Sequence, residues 1–103
     1  MARKYFETAI KIGQNLMVYE NYANYLLYYE NPTQSISFSE NALKVFPKSS
    51  KLYLTLAQAE YLNGDKTKAL NDVITSYKID PSQKAEDLIL LIKNNKPLIL
   101  NSQ

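Results

Sequence analysis

The chain of 103 residues contains no cysteine and no histidine. That removes disulfides, thiol nucleophiles, imidazole bases and nearly all zinc chemistry together. Glycine occurs twice and proline four times, too few turn residues for an all-β fold of this length, so composition alone favours helices. No block of one charge is present. The 12 basic and 10 acidic residues are spread along the chain for a formal net charge of +2, which leaves nothing to track a phosphate backbone and argues against nucleic acid as a partner. Long hydrophobic runs are missing too. The longest, Leu88 to Ile92, falls far short of the roughly 20 residues that cross a bilayer, and residues 1 to 7 hold no secretory core. The expectation is a soluble chain that inserts into no membrane; its compartment stays open, the cytoplasm being slightly favoured because the chain as given shows no signal peptide.

Hydrophobic residues make up 46% and charged residues 21%, ordinary for a folded domain and too apolar for a disordered one. A chain this short has one core, and that core is only just sufficient. The organisation of that core is visible as an internal repeat. Val45-Phe46-Pro47 recurs as Ile79-Asp80-Pro81, 34 residues on. Laying 16–49 over 50–83 pairs identical residues at Tyr19/Tyr53, Ala23/Ala57, Thr33/Thr67, Lys44/Lys78 and Pro47/Pro81, where chance would supply about two. Conservative pairs add Val18/Leu52, Ser35/Ala69, Ile36/Leu70, Ala42/Ser76 and Val45/Ile79.

Each unit opens with a helical stripe: Tyr19, Tyr22, Ala23 and Leu26, then Tyr53, Leu56, Ala57 and, more weakly, Glu60. Glu30-Asn31-Pro32 and Asn63-Gly64-Asp65 are stop and turn signals that split each unit into a helix pair, Pro32 standing early in its helix and Gly64 suiting a C-cap. Ala23, Ala57 and Ala69 permit close helix approach, and Ser82 can cap a last helix. The spacing predicts helices over 2–13, 16–29, 33–46, 50–63, 66–79 and 83–95.

These residues resemble the tetratricopeptide repeat family, whose 34-residue pattern runs W-x2-L-G-x2-Y, then A-x3-F, then P. Tyr53 stands at the Trp position, Leu56-Ala57 at Leu-Gly, Ala69 and Val73 at Ala and Phe, and Pro81 at the closing turn. Glu60 departs where an aromatic is usual, and Ser35 and Ser39 replace the Ala and Phe of the first unit. The resemblance implies an all-α fold of antiparallel helix pairs stacked as a short right-handed superhelix with a C-terminal capping helix. It divides the chain into the second helix of an incomplete repeat (1–15), two repeats (16–49 and 50–82), a capping helix (83–96) and a tail (97–103) whose apolar Pro97-Leu98-Ile99-Leu100 has no assigned cover. A start in mid-pair reads as a piece of something longer or as a natural cap.

No nucleophile beside a base, carboxylate pair, metal cluster or phosphate loop is recognisable, so no catalytic residue, metal ligand or cofactor is expected. Glu86-Asp87 sits in a first helical turn, where acids complement the macrodipole. Lys44, Lys48 and Lys51, and Lys93 and Lys96, read as solvated faces. The tyrosine run from Tyr19 to Tyr29 is mostly structural, with Tyr28 the member of functional interest.

The resemblance places the first helix of each pair on a concave surface, and phase then selects Glu20, Asn24, Leu27 and Tyr28 from the first copy and Leu54, Gln58, Tyr61 and Leu62 from the second, with Lys51 at the margin. Asn24 and Gln58 are one period apart, a ladder of amides that both donate and accept. Family members that grip acidic chaperone tails use lysine and asparagine together; here Glu20 occupies the lysine position and Thr55 the next asparagine. The expected function is therefore binding or scaffolding of a protein partner through a peptide segment in the groove. The alternative is an accessory or docking domain of a larger bacterial enzyme or membrane-associated assembly protein. The lone first helix leaves Tyr5, Phe6 and Ile10 short of cover, so a homodimer through this edge, or an upstream partner, is expected.

Overall fold

A computed structural model describes residues 2–100; position 1, and positions 101–103 of the expected tail, lie outside them. The described residues form six helices and no strand: α1 (Ala2–Ile12), α2 (Leu16–Tyr25), α3 (Pro32–Val45), α4 (Ser50–Leu62), α5 (Lys66–Ile79) and α6 (Gln83–Lys93), with α2 running on into a π-helical turn, Leu26–Glu30. Their starts are set by side-chain caps. The oxygens of Asn15, Asn31, Ser49, Asp65 and Ser82 each accept the backbone N–H three residues on, at 2.8 to 3.2 Å. Each satisfies a donor that the first turn leaves orphaned, worth about 1 kcal/mol. Pro32 follows Asn31 at the first helical position, where its missing N–H costs nothing. Gly64 closes the α4–α5 turn at φ +91°, in the region that L side chains rarely enter.

The two repeat units reach their second helices by different routes. Asn31 and Asp65 are equivalent caps, but Tyr29-Glu30 stands where Asn63-Gly64 stands in the second unit. Lacking a glycine for the left-handed turn, the first unit stays helical to residue 30 and absorbs the difference in the π turn.

Consecutive helices pack antiparallel. Ser50, at the start of α4, meets Ser76, near the end of α5; each hydroxyl donates to the other's carbonyl at 2.9 Å. At the opposite end Glu60 of α4 lies beside Lys68 of α5. In the first unit the Ser35 hydroxyl donates to the Ala23 carbonyl at 2.9 Å, and Tyr19 meets Phe46 edge-on at 5.2 Å between ring centroids. The hydroxyls of Ser35, Ser50 and Ser76 thus tie neighbouring helices together, and Ala23, Ala57 and Ala69 are wholly buried at close approaches. Beyond these pairs, α2 packs on α4 and α4 on α6, so the three lie side by side in one layer.

The interior falls into two clusters along a body 41 Å long and 25 by 21 Å across. Tyr19, Ala23, Ala42 and Leu52 form one, with Phe38 and Phe46 against them; Ala57, Ala69, Val73, Ala85, Leu88 and Ile92 form the other. Leu98 packs on the second cluster, and the Tyr61 hydroxyl donates to the Lys96 carbonyl, so this part of the apolar tail has a cover. No helix among the described residues is long and apolar enough to cross a membrane.

Candidate functional site

The α2/α4/α6 layer carries a groove of about 450 Å³. Its first wall is α2, which contributes Glu20, Asn21 and Asn24; its floor is α4, with Ser50, Lys51, Leu54, Thr55 and Gln58. The far wall is Asp80 with the start of α6, Ser82 to Lys84. The helical period accounts for the selection, because positions three and four apart share a face. Leu54, Thr55 and Gln58 repeat Glu20, Asn21 and Asn24 one 34-residue period later.

One side chain in the groove, Glu20, stands out by its partner. Ser49, buried as the N-cap of α4, donates its hydroxyl to Glu20 Oε2 at 2.7 Å while accepting the Leu52 N–H at 3.1 Å. Glu20 is thereby held half-buried across the α2–α4 junction, near the positive end of α4. Thr55 is buried on the groove floor, and its hydroxyl makes no hydrogen bond within the described residues.

Across α2, a second hollow of about 440 Å³ shares Asn21 and Asn24 with the groove and is lined by Ala2, Phe6, Tyr25, Tyr28 and Tyr29. Its rings are ordered: Phe6 stacks on Tyr22 at 5.2 Å and Tyr25 lies 5.4 Å from Tyr29. Tyr25 also reaches Glu30, which Arg3 of α1 pairs at 3.1 Å.

Of the residues selected from sequence, Glu20, Asn24, Lys51, Leu54 and Gln58 line one groove, and Tyr28 lies in the adjoining aromatic hollow. Leu27 does not belong to the surface: it is 3% exposed, beside Leu26 at 3%. Its 34-residue equivalent, Tyr61, also packs inward, on the second core cluster, so the covered face of each first helix is wider than the stripe alone marks. Tyr61 and Leu62 do not line the groove either; Tyr61 packs on the second core cluster, and Leu62 lies exposed at the end of α4. Asn21, Ser50, Thr55, Asp80 and the start of α6 were not selected. The 34-residue spacing of Asn21 and Thr55 could have found that pair, whereas the α6 wall depends on tertiary packing.

A third cluster lies between α3, α4 and α5. Glu60 is 2% exposed with neither carboxylate oxygen hydrogen-bonded. Lys68 Nζ stands 3.7 Å from it and 3.4 Å from Glu40 of α3. Burial pushes the Glu60 carboxyl up to about 8; Asp72 and Asp65 add to the rise and Lys68 opposes it. Among the described residues no group of three or more acids is placed to hold a metal ion.

No family model and no curated protein matches the chain.

Proposed function

We propose that the chain is a protein-interaction module of the tetratricopeptide kind that holds an extended peptide segment in the α2/α4/α6 groove. One observation carries the reading: Asn24 and Gln58, equivalent in the repeat, stand on one groove, with Thr55 on its floor. An extended backbone offers an N–H and a C=O at every residue, and side-chain amides answer both. The pairing of each helix with the next, and of α2 with α4 and α4 with α6, supports a repeat stack in which α6 begins a third unit as well as covering the second. The aromatic hollow at Tyr25 and Tyr28 supplies apolar contact where the ligand leaves the groove.

Titration tests it. A partner captured by pull-down should lose several-fold in affinity with Asn24→Ala and with Gln58→Ala, as one peptide hydrogen bond is worth about 0.5 to 1.5 kcal/mol. Both are groove-surface positions, so stability should change by less than about 0.5 kcal/mol. Wild-type affinity in both variants would move the site elsewhere.

A second reading, a docking domain within a larger assembly, draws on α1. That helix has no fully buried residue, and its Tyr5 and Ile12 are 65% and 84% exposed. Tyr5, Ala9 and Ile12 line a hollow on its outer side, an apolar face of the kind that marks an interface. A second copy of the chain, meeting this face across a two-fold axis, is the partner proposed for it.

A further inference from the structure

The groove is not electrically uniform, and its one pinned charge is Glu20. The Ser49 hydroxyl holds Oε2 at 2.7 Å, and Ser49 is itself buried and locked by its cap bond to Leu52. Among the described residues no lysine or arginine pairs with Glu20, although Lys51 lines the same groove. Lys51, Lys84 and Asp80 are exposed side chains with freedom to move; Glu20 is half-buried. A carboxylate held by one hydroxyl retains acceptor positions on both oxygens, and these suit the paired N–H groups of a guanidinium or an ammonium group.

We infer that the peptide taken by this groove carries a basic residue, arginine or lysine, that docks on Glu20. This rests on the groove reading above and adds the ligand's chemistry to it. An exposed surface carboxylate would contribute little to selection, because screening and side-chain entropy offset the gain. Glu20 differs on both counts: its rotamer is already restrained by Ser49, and a ligand lying in the groove excludes water from it. The alternative role, a tie between α2 and the start of α4, needs only an acceptor for the Ser49 hydroxyl. A glutamine amide oxygen supplies one without the charge, so Glu20→Gln separates the two roles.

The experiment screens the full chain against a phage-displayed library of random nonapeptides, followed by fluorescence anisotropy on the enriched peptides and their Arg/Lys→norleucine analogues. Enriched peptides should share a basic position, and norleucine there should weaken binding to the wild type by about tenfold, as expected for a charge-assisted hydrogen bond. With Glu20→Gln, whose melting temperature should stay at the wild-type value, the same exchange should make less than a twofold difference. Glu20→Lys should invert the preference towards acidic residues. Enriched peptides without a basic position, or a norleucine effect undiminished in Glu20→Gln, would overturn the inference and leave the groove reading in place if Asn24→Ala still weakens binding. A screen that enriches no peptide would count against the groove reading itself and this inference with it.

Discussion

Glu60 makes the protein's stability fall as pH rises. Its carboxyl is buried between α4 and α5 with no hydrogen-bond partner, and its pKa is about 8 against an ordinary 4.5. Between these values the unfolded chain has released the proton and the folded chain still holds it. The folded state then binds more protons than the unfolded state, so stability declines with increasing pH across that window and levels off above about 8. At about 1.4 kcal/mol per pH unit, the full shift sets a ceiling near 5 kcal/mol. That shift already includes the opposing pull of Lys68, 3.7 Å away; relaxation around the charge and entry of water bring the expected loss down to about 2 kcal/mol. The assay is urea denaturation followed by circular dichroism from pH 4 to 9, comparing the wild type with Glu60→Gln. Subtracting the two curves cancels the other titrating groups. The variant should match the wild type near pH 4 to within about 1 kcal/mol and exceed it by about 2 kcal/mol at pH 9. A difference that stays constant over the whole range would refute the reasoning, because it would mean that Glu60 titrates alike in both states.

The two buried serines of α3 should behave oppositely. Ser35→Ala forfeits the bond to the Ala23 carbonyl and should cost about 1 kcal/mol, whereas Ser39, whose hydroxyl has no partner, should tolerate alanine or gain from it in the same denaturation assay. Ala57→Leu should overpack the α4 interface by about 1 to 3 kcal/mol and lower binding only as far as it lowers the folded fraction measured by circular dichroism. Sedimentation velocity should show a concentration-dependent dimer that Ile12→Asp returns to monomer; a strict monomer at the highest concentrations would reject the α1 interface.

The helices were legible because their signals are local. Asn31-Pro32, Gly64-Asp65 and Ser82 mark boundaries within a few residues of those observed, and the stripe Tyr19, Tyr22, Ala23 and Leu26 is buried as its period requires. The failures begin at the edge of the buried stripe. Leu27 and its equivalent Tyr61 both pack inward, because α2 and α4 each pack against more than one neighbouring helix and the covered face is wider than the period marks. The amide pair Asn24 and Gln58 follows from the 34-residue period, and so could Asn21 and Thr55 have done. Ser49 holding Glu20 and Tyr61 closing on Lys96 join residues 29 and 35 positions apart, and no local pattern announces such bonds. In the sequence Glu60 is the weak member of a buried stripe; its burial without a hydrogen bond follows only once the neighbouring helices are placed.

The groove itself is tested most directly by nuclear magnetic resonance, titrating isotope-labelled protein with a peptide enriched in the screen. The side-chain amide signals of Asn24 and Gln58 and the backbone signals around Glu20, Leu54 and Thr55 should shift together and saturate with one affinity. Shifts confined to the outer face of α1 or to the α3/α5 side around Lys68, with the Asn24 and Gln58 amides unmoved, would contradict a ligand in the groove.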